Sequence, residues 1–244
     1  MCAGAWLALA LLAAAPDASR AGQPKRASSS GAPSVKRLSN ERTRTYVAYV
    51  VKSAWVLRKP RHRSKALTRL RTRTYYGVAE RVPLLARTSD ALGRTWYQIR
   101  YPGIGSRRGW VRATAVARPH LVRTQLVIDR RRQRIRLNRR GKLLLSVSVG
   151  IGTSGSPTPR GRYYIRERVR PGNGNGIYGA LAFGTSAYSR HRTDWPGGGQ
   201  VGIHGTDQPA LIPGLISNGC VRLRNRDIRR LGRRLPLGTP LLIK

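Results

Sequence analysis

Short runs in which apolar and polar residues alternate fill most of this chain, broken by Gly and Pro. The first, "TYVAYVVKSAWVLRKP" from Thr45, is rich in β-branched and aromatic side chains; "YYGVAERVPLLART", "TWYQIRYP" and "RRGWVRATAVA" follow. A period of two turns one face of each segment toward a core and the other toward water, so the pattern predicts strands. No helical period persists across them. Short strands at regular spacing predict a small barrel or sandwich. From Leu121 the texture resumes. "TQLVIDRRRQRIRLNRRGKLLLSVSVGIG" predicts two strands, a turn at Asn138-Arg139-Arg140-Gly141 and a third strand. "SGSPTPRGRYYIRERV" predicts a Pro/Gly turn into another strand, residues 171–179 a flexible Gly-rich loop, and "GTPLLIK" a closing strand. Only "NRDIRRLGRRL" (Asn225 to Leu235) has helical spacing, with Ile228, Leu231 and Leu235 on one face.

The first 21 residues differ from all of this. An apolar run from Ala3 to Ala15 is followed by small residues, with Ser19-Arg20-Ala21 as a cleavage site. This predicts a signal peptide or an uncleaved membrane anchor, and hence export. Cys2 precedes the apolar run, so there is no lipobox. Residues 22–43 are rich in Ser, Lys and Arg and predict a flexible linker. Two folded segments remain, 44–118 and 121–244. No apolar run in them is long enough to span a bilayer.

Charge adds a statement about surroundings. The 244 residues include 48 Lys and Arg against 9 Asp and Glu, a formal net charge of +39. Such a field favours polyanions. The basic residues are spread along the chain, and no RRM, KH, zinc-finger or basic-zipper pattern accompanies them, so nucleic acid is not indicated. Anionic wall polymers fit the charge, and so does a plain solvated surface.

Candidate chemistry concentrates in "VGIHGTDQPALIPGLISNGCVRLRN", from Val201 to Asn225. Of the two cysteines only Cys220 lies outside the leader, so it has no partner within the mature chain. In an exported protein such a thiol pairs with another molecule or is reactive. A thiol attacks only as thiolate, and its free pKa is about 8.5. His204, at the end of an alternating run, is placed to take that proton. Asn218-Gly219 permits a tight turn, and amides around Gly219 and Cys220 could form an oxyanion hole. Arg222 and Arg224 should lower the thiol pKa. The plainer alternative is a buried, inert Cys. "IHGT" offers no second ligand at zinc spacing, so neither metal nor cofactor is expected. Tyr178, Tyr188 and Trp195 flank the site in sequence, as a lid over substrate or as packing. Trp55, Trp96, Tyr97 and Trp110 line a ligand groove or belong to a small core; both readings stand. His62, His120 and His191 read as surface residues, and Asp207 as a loop cap.

These residues resemble a known family. His204-Gly205-Thr206, a Pro-containing loop and then Ser217-Asn218-Gly219-Cys220-Val221-Arg222 resemble the signature of the L,D-transpeptidase catalytic domain, also called YkuD. "TPRGRYYI", "YGALAFGTSAYS" and "LGTPLLIK" resemble further segments of it, covering residues 122–244. "WVLRKP", "GRTWYQIRYP" and "GWVRATAV" resemble a bacterial SH3-like domain. The resemblances imply a mainly β protein: a small SH3-like barrel, then a β-sandwich-type L,D-transpeptidase domain with one or two short helices. They imply Cys220 as nucleophile and His204 as base. The Gly205 carbonyl would orient the imidazole, and Ser217 and Gly219 would support the turn. Arg222 would hold thiolate or substrate carboxylate. The implied substrates are peptidoglycan stem peptides, with carbapenem-type inhibitors acylating the thiol. One position departs: the family usually has His where this chain has Asn218. An inactive wall-binding scaffold and a hydrolytic L,D-carboxypeptidase are the alternatives.

Overall fold

Two β-sheets carry nearly all the regular structure of the computed structural model, which describes Met1 and residues 34–191 and 197–244. Beyond Met1 the expected leader lies outside the described residues, as do the first part of the expected linker and Trp195. The N-terminal sheet holds β1 (Lys36–Arg37), β2 (Thr45–Tyr49), β3 (Ala54–Leu57), β4 (Ala66–Leu70), β5 (Arg81–Ser89), β6 (Thr95–Tyr101), β7 (Arg107–Arg112) and β8 (His120–Val122). Their spatial order is β4-β3-β7-β6-β5-β2-β8, with β1 alongside β5. The C-terminal sheet holds β9 (Thr124–Asp129), β10 (Arg134–Arg139), β11 (Lys142–Ser148), β12 (Gly150–Gly152), β13 (Gly161–Val169), β14 (Ala182–Tyr188), β15 (Gln200–His204), β16 (Gly214–Ser217), β17 (Val221–Arg222) and β18 (Pro240–Ile243). The order there is β11-β10-β9-β18-β13-β14-β15-β17-β12-β16.

The alternation seen in sequence sets the register. Leu126 and Ile128 of β9 stand opposite Leu137 and Ile135 of β10, which stand opposite Leu145 and Val147 of β11. All six are buried in one cluster, so a slip of one residue would turn them into water. The turn between β10 and β11 is made by Arg140 (φ 51) and Gly141 (φ 84), inside the stretch expected. Two consecutive positive φ values suit the twist of a tight hairpin. The helix α1 (Asn225–Gly232) is one turn shorter than its sequence pattern. Ile228 and Leu231 still face the core, and Leu235 joins them from the segment that follows.

Two expectations change, one open reading is decided, and one strand was not foreseen. Residues 34–43 are not a loose linker, because β1 pairs with β5 and Glu41 makes a two-pronged ion pair with the buried Arg100 at 2.7 and 2.8 Å. His120–Val122 belongs to the N-terminal sheet, paired with β2, so the boundary between sheets falls after Val122. Strand β4, at the sheet edge with only Leu70 buried, has no alternating pattern to announce it. Trp96 and Trp110 are core residues, whereas Trp55 is exposed, so the four aromatics do not share a groove. The Trp96 indole donates to Asp90 Oδ2 at 2.9 Å, which satisfies its one polar atom in burial.

The sheets meet through β13. Its register on β14 shifts between Ile165 and Glu167, a bulge that re-aims neighbouring side chains. Ile165 points into the C-terminal core. Tyr164, fully buried, packs in the N-terminal core with Val82, Leu84, Ile99 and Val111. Arg166 pairs with the buried Glu80, and Thr74 donates to Glu167 Oε2 at 2.5 Å. The described residues from Ser34 onward accordingly form one compact unit.

Candidate active site

Strands β15 and β17 run parallel as neighbours, with Ile203 opposite Val221 and His204 opposite Arg222. That pairing carries Cys220, the residue before β17, to the side of Gly202, whose amide donates to Cys220 Sγ at 3.3 Å. Gly202 has no side chain to intervene. A β-carbon built there would lie 3.6 Å from His204 Cδ2 and 3.7 Å from Cys220 Sγ. Thiol and imidazole thus flank the same glycine.

The orientation of His204 comes from its own backbone. Nδ1 lies 2.6 Å from the Gly205 carbonyl oxygen. A carbonyl only accepts, so the proton sits on Nδ1 and Nε2 keeps its lone pair for a proton. The Tyr178 ring meets the imidazole edge-on at 5.1 Å. Asn225, the first residue of α1, holds this corner: its Oδ1 accepts from the amides of Ala180 at 3.1 Å and Thr206 at 3.2 Å. Gly179 (φ 60) and Gly205 make the approach possible, because a β-carbon would fall 2.1 or 2.2 Å from that same oxygen.

The Cys220 turn is braced from both sides. Gly219 has φ 113, a region open to glycine. Ser217 Oγ donates to the Cys220 carbonyl at 2.6 Å and accepts from the Gly219 amide at 3.2 Å. Thr158 Oγ1 donates to the Gly219 carbonyl and accepts from the Gly152 amide, both at 2.9 Å. The Gly219 amide is therefore turned into the loop, where Ser217 takes it, rather than left open for an oxyanion.

Burial governs both titrations. It pushes the His204 pKa down to about 4, with Arg222 adding to the fall and the Gly205 carbonyl and Asp207 opposing it. It pushes the Cys220 thiol up, against the pull of the Gly202 amide and Arg222. The expected depression of the thiol pKa by cations does not occur, because desolvation exceeds their attraction. Arg224 is not among the groups that act on it; its Nη2 donates to the Ile212 carbonyl at 2.5 Å. At neutral pH the pair is thiol and neutral imidazole.

Two cavities meet at this pair. One, of about 100 Å³, is edged by Ser217, Asn218 and Arg222. The other, of about 420 Å³, is walled by Val169, Pro171, Phe183 and Tyr76. Cys220, His204, Tyr178 and Gln200 border both. Of the residues picked out in sequence, Tyr188 borders neither; its hydroxyl accepts from Arg166 Nη1 at 3.2 Å, away from the thiol. His62, His120 and His191 are exposed. Sequence reading missed Asn225 and Gln200, whose nearness to His204 in the chain was the available signal. It also missed Tyr76, for which no local signal exists. Among the described residues no three His, Cys, Asp or Glu side chains gather as a metal site, and no helix is long and apolar enough to cross a membrane.

The motif agrees with comparison to known proteins. Two Bacillus subtilis (strain 168) proteins, YqjB and YkuD, whose names assign them to the L,D-transpeptidases, are 33% and 36% identical over 81 residues. Each match covers 33% of this chain and 43% or 42% of the relative, so less than half of either relative is spanned. The solved catalytic domain of the Enterococcus faecium L,D-transpeptidase, acylated by ertapenem, is 26% identical with a TM-score of 0.35. That match covers 50% of this chain and 96% of that one. The sequence model of the L,D-transpeptidase catalytic domain matches residues 123–243, the C-terminal sheet with its thiol, imidazole and bracing turn. Residues 123–243 belong to the YkuD family of L,D-transpeptidase catalytic domains.

Proposed function

We propose that this chain is an exported peptidoglycan L,D-transpeptidase, with Cys220 as nucleophile and His204 as general base. The observation that carries the reading is the fixed tautomer of His204 beside the only thiol among the described residues. As a stem peptide docks, Nε2 takes the thiol proton and Sγ attacks the carbonyl of the third residue. The Cys220 amide donates to the oxyanion, Asn218 hydrogen-bonds the substrate, and collapse of the tetrahedral adduct expels D-Ala, protonated by the imidazolium. The thioester is then resolved by an amine of a second stem, which forms the cross-link and regenerates the thiol. Two cavities that meet at one sulfur support transfer between two substrates more than hydrolysis. Arg222 borders the smaller cavity, where its guanidinium would hold the terminal carboxylate of the donor stem. We read the N-terminal sheet as the SH3-like module and the charge of +39 as suited to anionic wall polymers.

The test is intact-protein mass after exposure to a carbapenem, followed by D-Ala release from a tetrapeptide. The expected result is a gain of one drug mass and D-Ala release, both absent in Cys220→Ala. A folded wild-type protein that takes up no drug and releases no D-Ala would instead be a wall-binding scaffold. The same assays on Asn218→His would then show whether that departure silenced the site.

A further inference from the structure

We propose that Tyr76, carried by the N-terminal sheet, is a substrate-binding residue of the thiol site, holding an uncharged stretch of the acyl donor against the apolar groove beside Cys220. The inference rests on the transpeptidase reading and adds to it a residue that lies outside the catalytic domain.

Three observations carry it. First, Tyr76 lines the larger cavity together with Cys220 and His204, although more than 120 positions separate it from either. Second, its loop is built to hold it there. The Thr74 amide donates to the Val78 carbonyl at 2.8 Å, Gly77 takes φ 75, and Arg73 donates to the Gly77 carbonyl at 2.7 Å. Thr74 Oγ1 donates to Glu167, and Glu167 accepts from Gln200 Nε2 at 2.8 Å. Gln200 borders both cavities, so one buried carboxylate ties the Tyr76 loop to the strand that ends in His204. Third, Tyr76 is 47% exposed, with its ring edge-on to the more exposed Tyr75 at 5.1 Å. A large aromatic held half in water by a tight, pinned loop presents ring surface to whatever enters the cavity.

The chemistry of the groove selects its occupant. Tyr76 and Tyr178 offer ring surface, and Val169 and Pro171 offer aliphatic surface. Among the described residues no Lys, Arg, Asp or Glu lines it, in a chain whose net charge is +39. Charged ends of a substrate are better matched by the smaller cavity with Arg222. The larger groove therefore suits a neutral peptide or methylene segment lying flat on aromatic faces.

The experiment compares tetrapeptide D-Ala release by the intact chain, Tyr76→Ala and Tyr76→Phe, alongside alkylation of Cys220 by iodoacetamide. Tyr76→Ala is expected to lower kcat/KM about tenfold, chiefly through KM, while Tyr76→Phe stays within about twofold of wild type. Alkylation is expected to stay unchanged in both variants, because the small reagent needs the thiol and not the wall. Equal kcat/KM in wild type and Tyr76→Ala overturns the inference. So does a loss in Tyr76→Ala that alkylation shares in full, which would place the effect on the thiol. Absence of D-Ala release from wild type overturns the transpeptidase reading and this inference together, whereas the first two outcomes leave that reading intact.

Discussion

At the scale of single residues, His204 and Cys220 are neutral in the resting protein because burial penalises both charged forms. A base must be deprotonated to act, and the imidazole stays so until the pH falls to about 4. The thiol, raised by burial, adds no ionisation of its own near neutrality. The carbapenem acylation rate is therefore expected to be flat across neutral pH and to decline only as pH approaches 4. A midpoint near 6.5, the ordinary value of His, would show that solvent reaches the imidazole. Asn225 gives a second prediction at this scale. Its Oδ1 serves two amides that shape the corner around Gly205. Asn225→Ala leaves both without an acceptor and is expected to slow acylation about tenfold, while destabilising the fold by about 1–3 kcal/mol. Acylation kinetics and urea unfolding measure the two effects.

At the scale of elements, the bulged strand β13 decides how the two sheets are joined. Arg166 and Glu80 are both buried, and their pairing holds the arginine pKa above its ordinary value against desolvation. Removing one partner strands a charge. Arg166→Met is expected to lower the unfolding free energy by about 3–5 kcal/mol, and adding Glu80→Met should recover most of that loss. A double-mutant cycle in denaturant tests it; equal losses in the single and double variants would show that the side-chain packing, not the charge, is at stake. The Cys220 turn gives the other test. Thr158→Val keeps shape but removes the bridge between Gly152 and Gly219. Slower acylation with unchanged secondary structure is expected, read by intact mass and circular dichroism.

At the scale of the whole molecule, the catalytic domain is not packed on its own. Tyr164, with its backbone in the C-terminal sheet, fills the N-terminal core. A chain of residues 122–244 alone would expose that ring, Arg166 and Glu167. It is expected to melt well below residues 34–244 and to bind a hydrophobic dye. Equal melting temperatures would show that the sheets are independently stable.

Much of this protein was readable in order along the chain. The period of two gave most of the strands, and a ladder such as Leu126, Leu137 and Leu145 follows because each residue's neighbours in sequence already say which face it occupies. The pairing of His204 with Cys220 was legible from the motif, although β16 lies between β15 and β17 in the chain and the parallel pairing of those strands closes the distance. What sequence could not give depends on burial and on contacts between distant positions. Edge strand β4 has no buried face to pattern it. The thiol pKa rises because desolvation, a property of the packed site, exceeds the attraction of cations that sequence does display. Arg224 and Tyr188 stand near the motif in the chain yet are engaged elsewhere. Tyr76 reaches the site only because β13 packs the two sheets together, and no stretch of sequence encodes that distance.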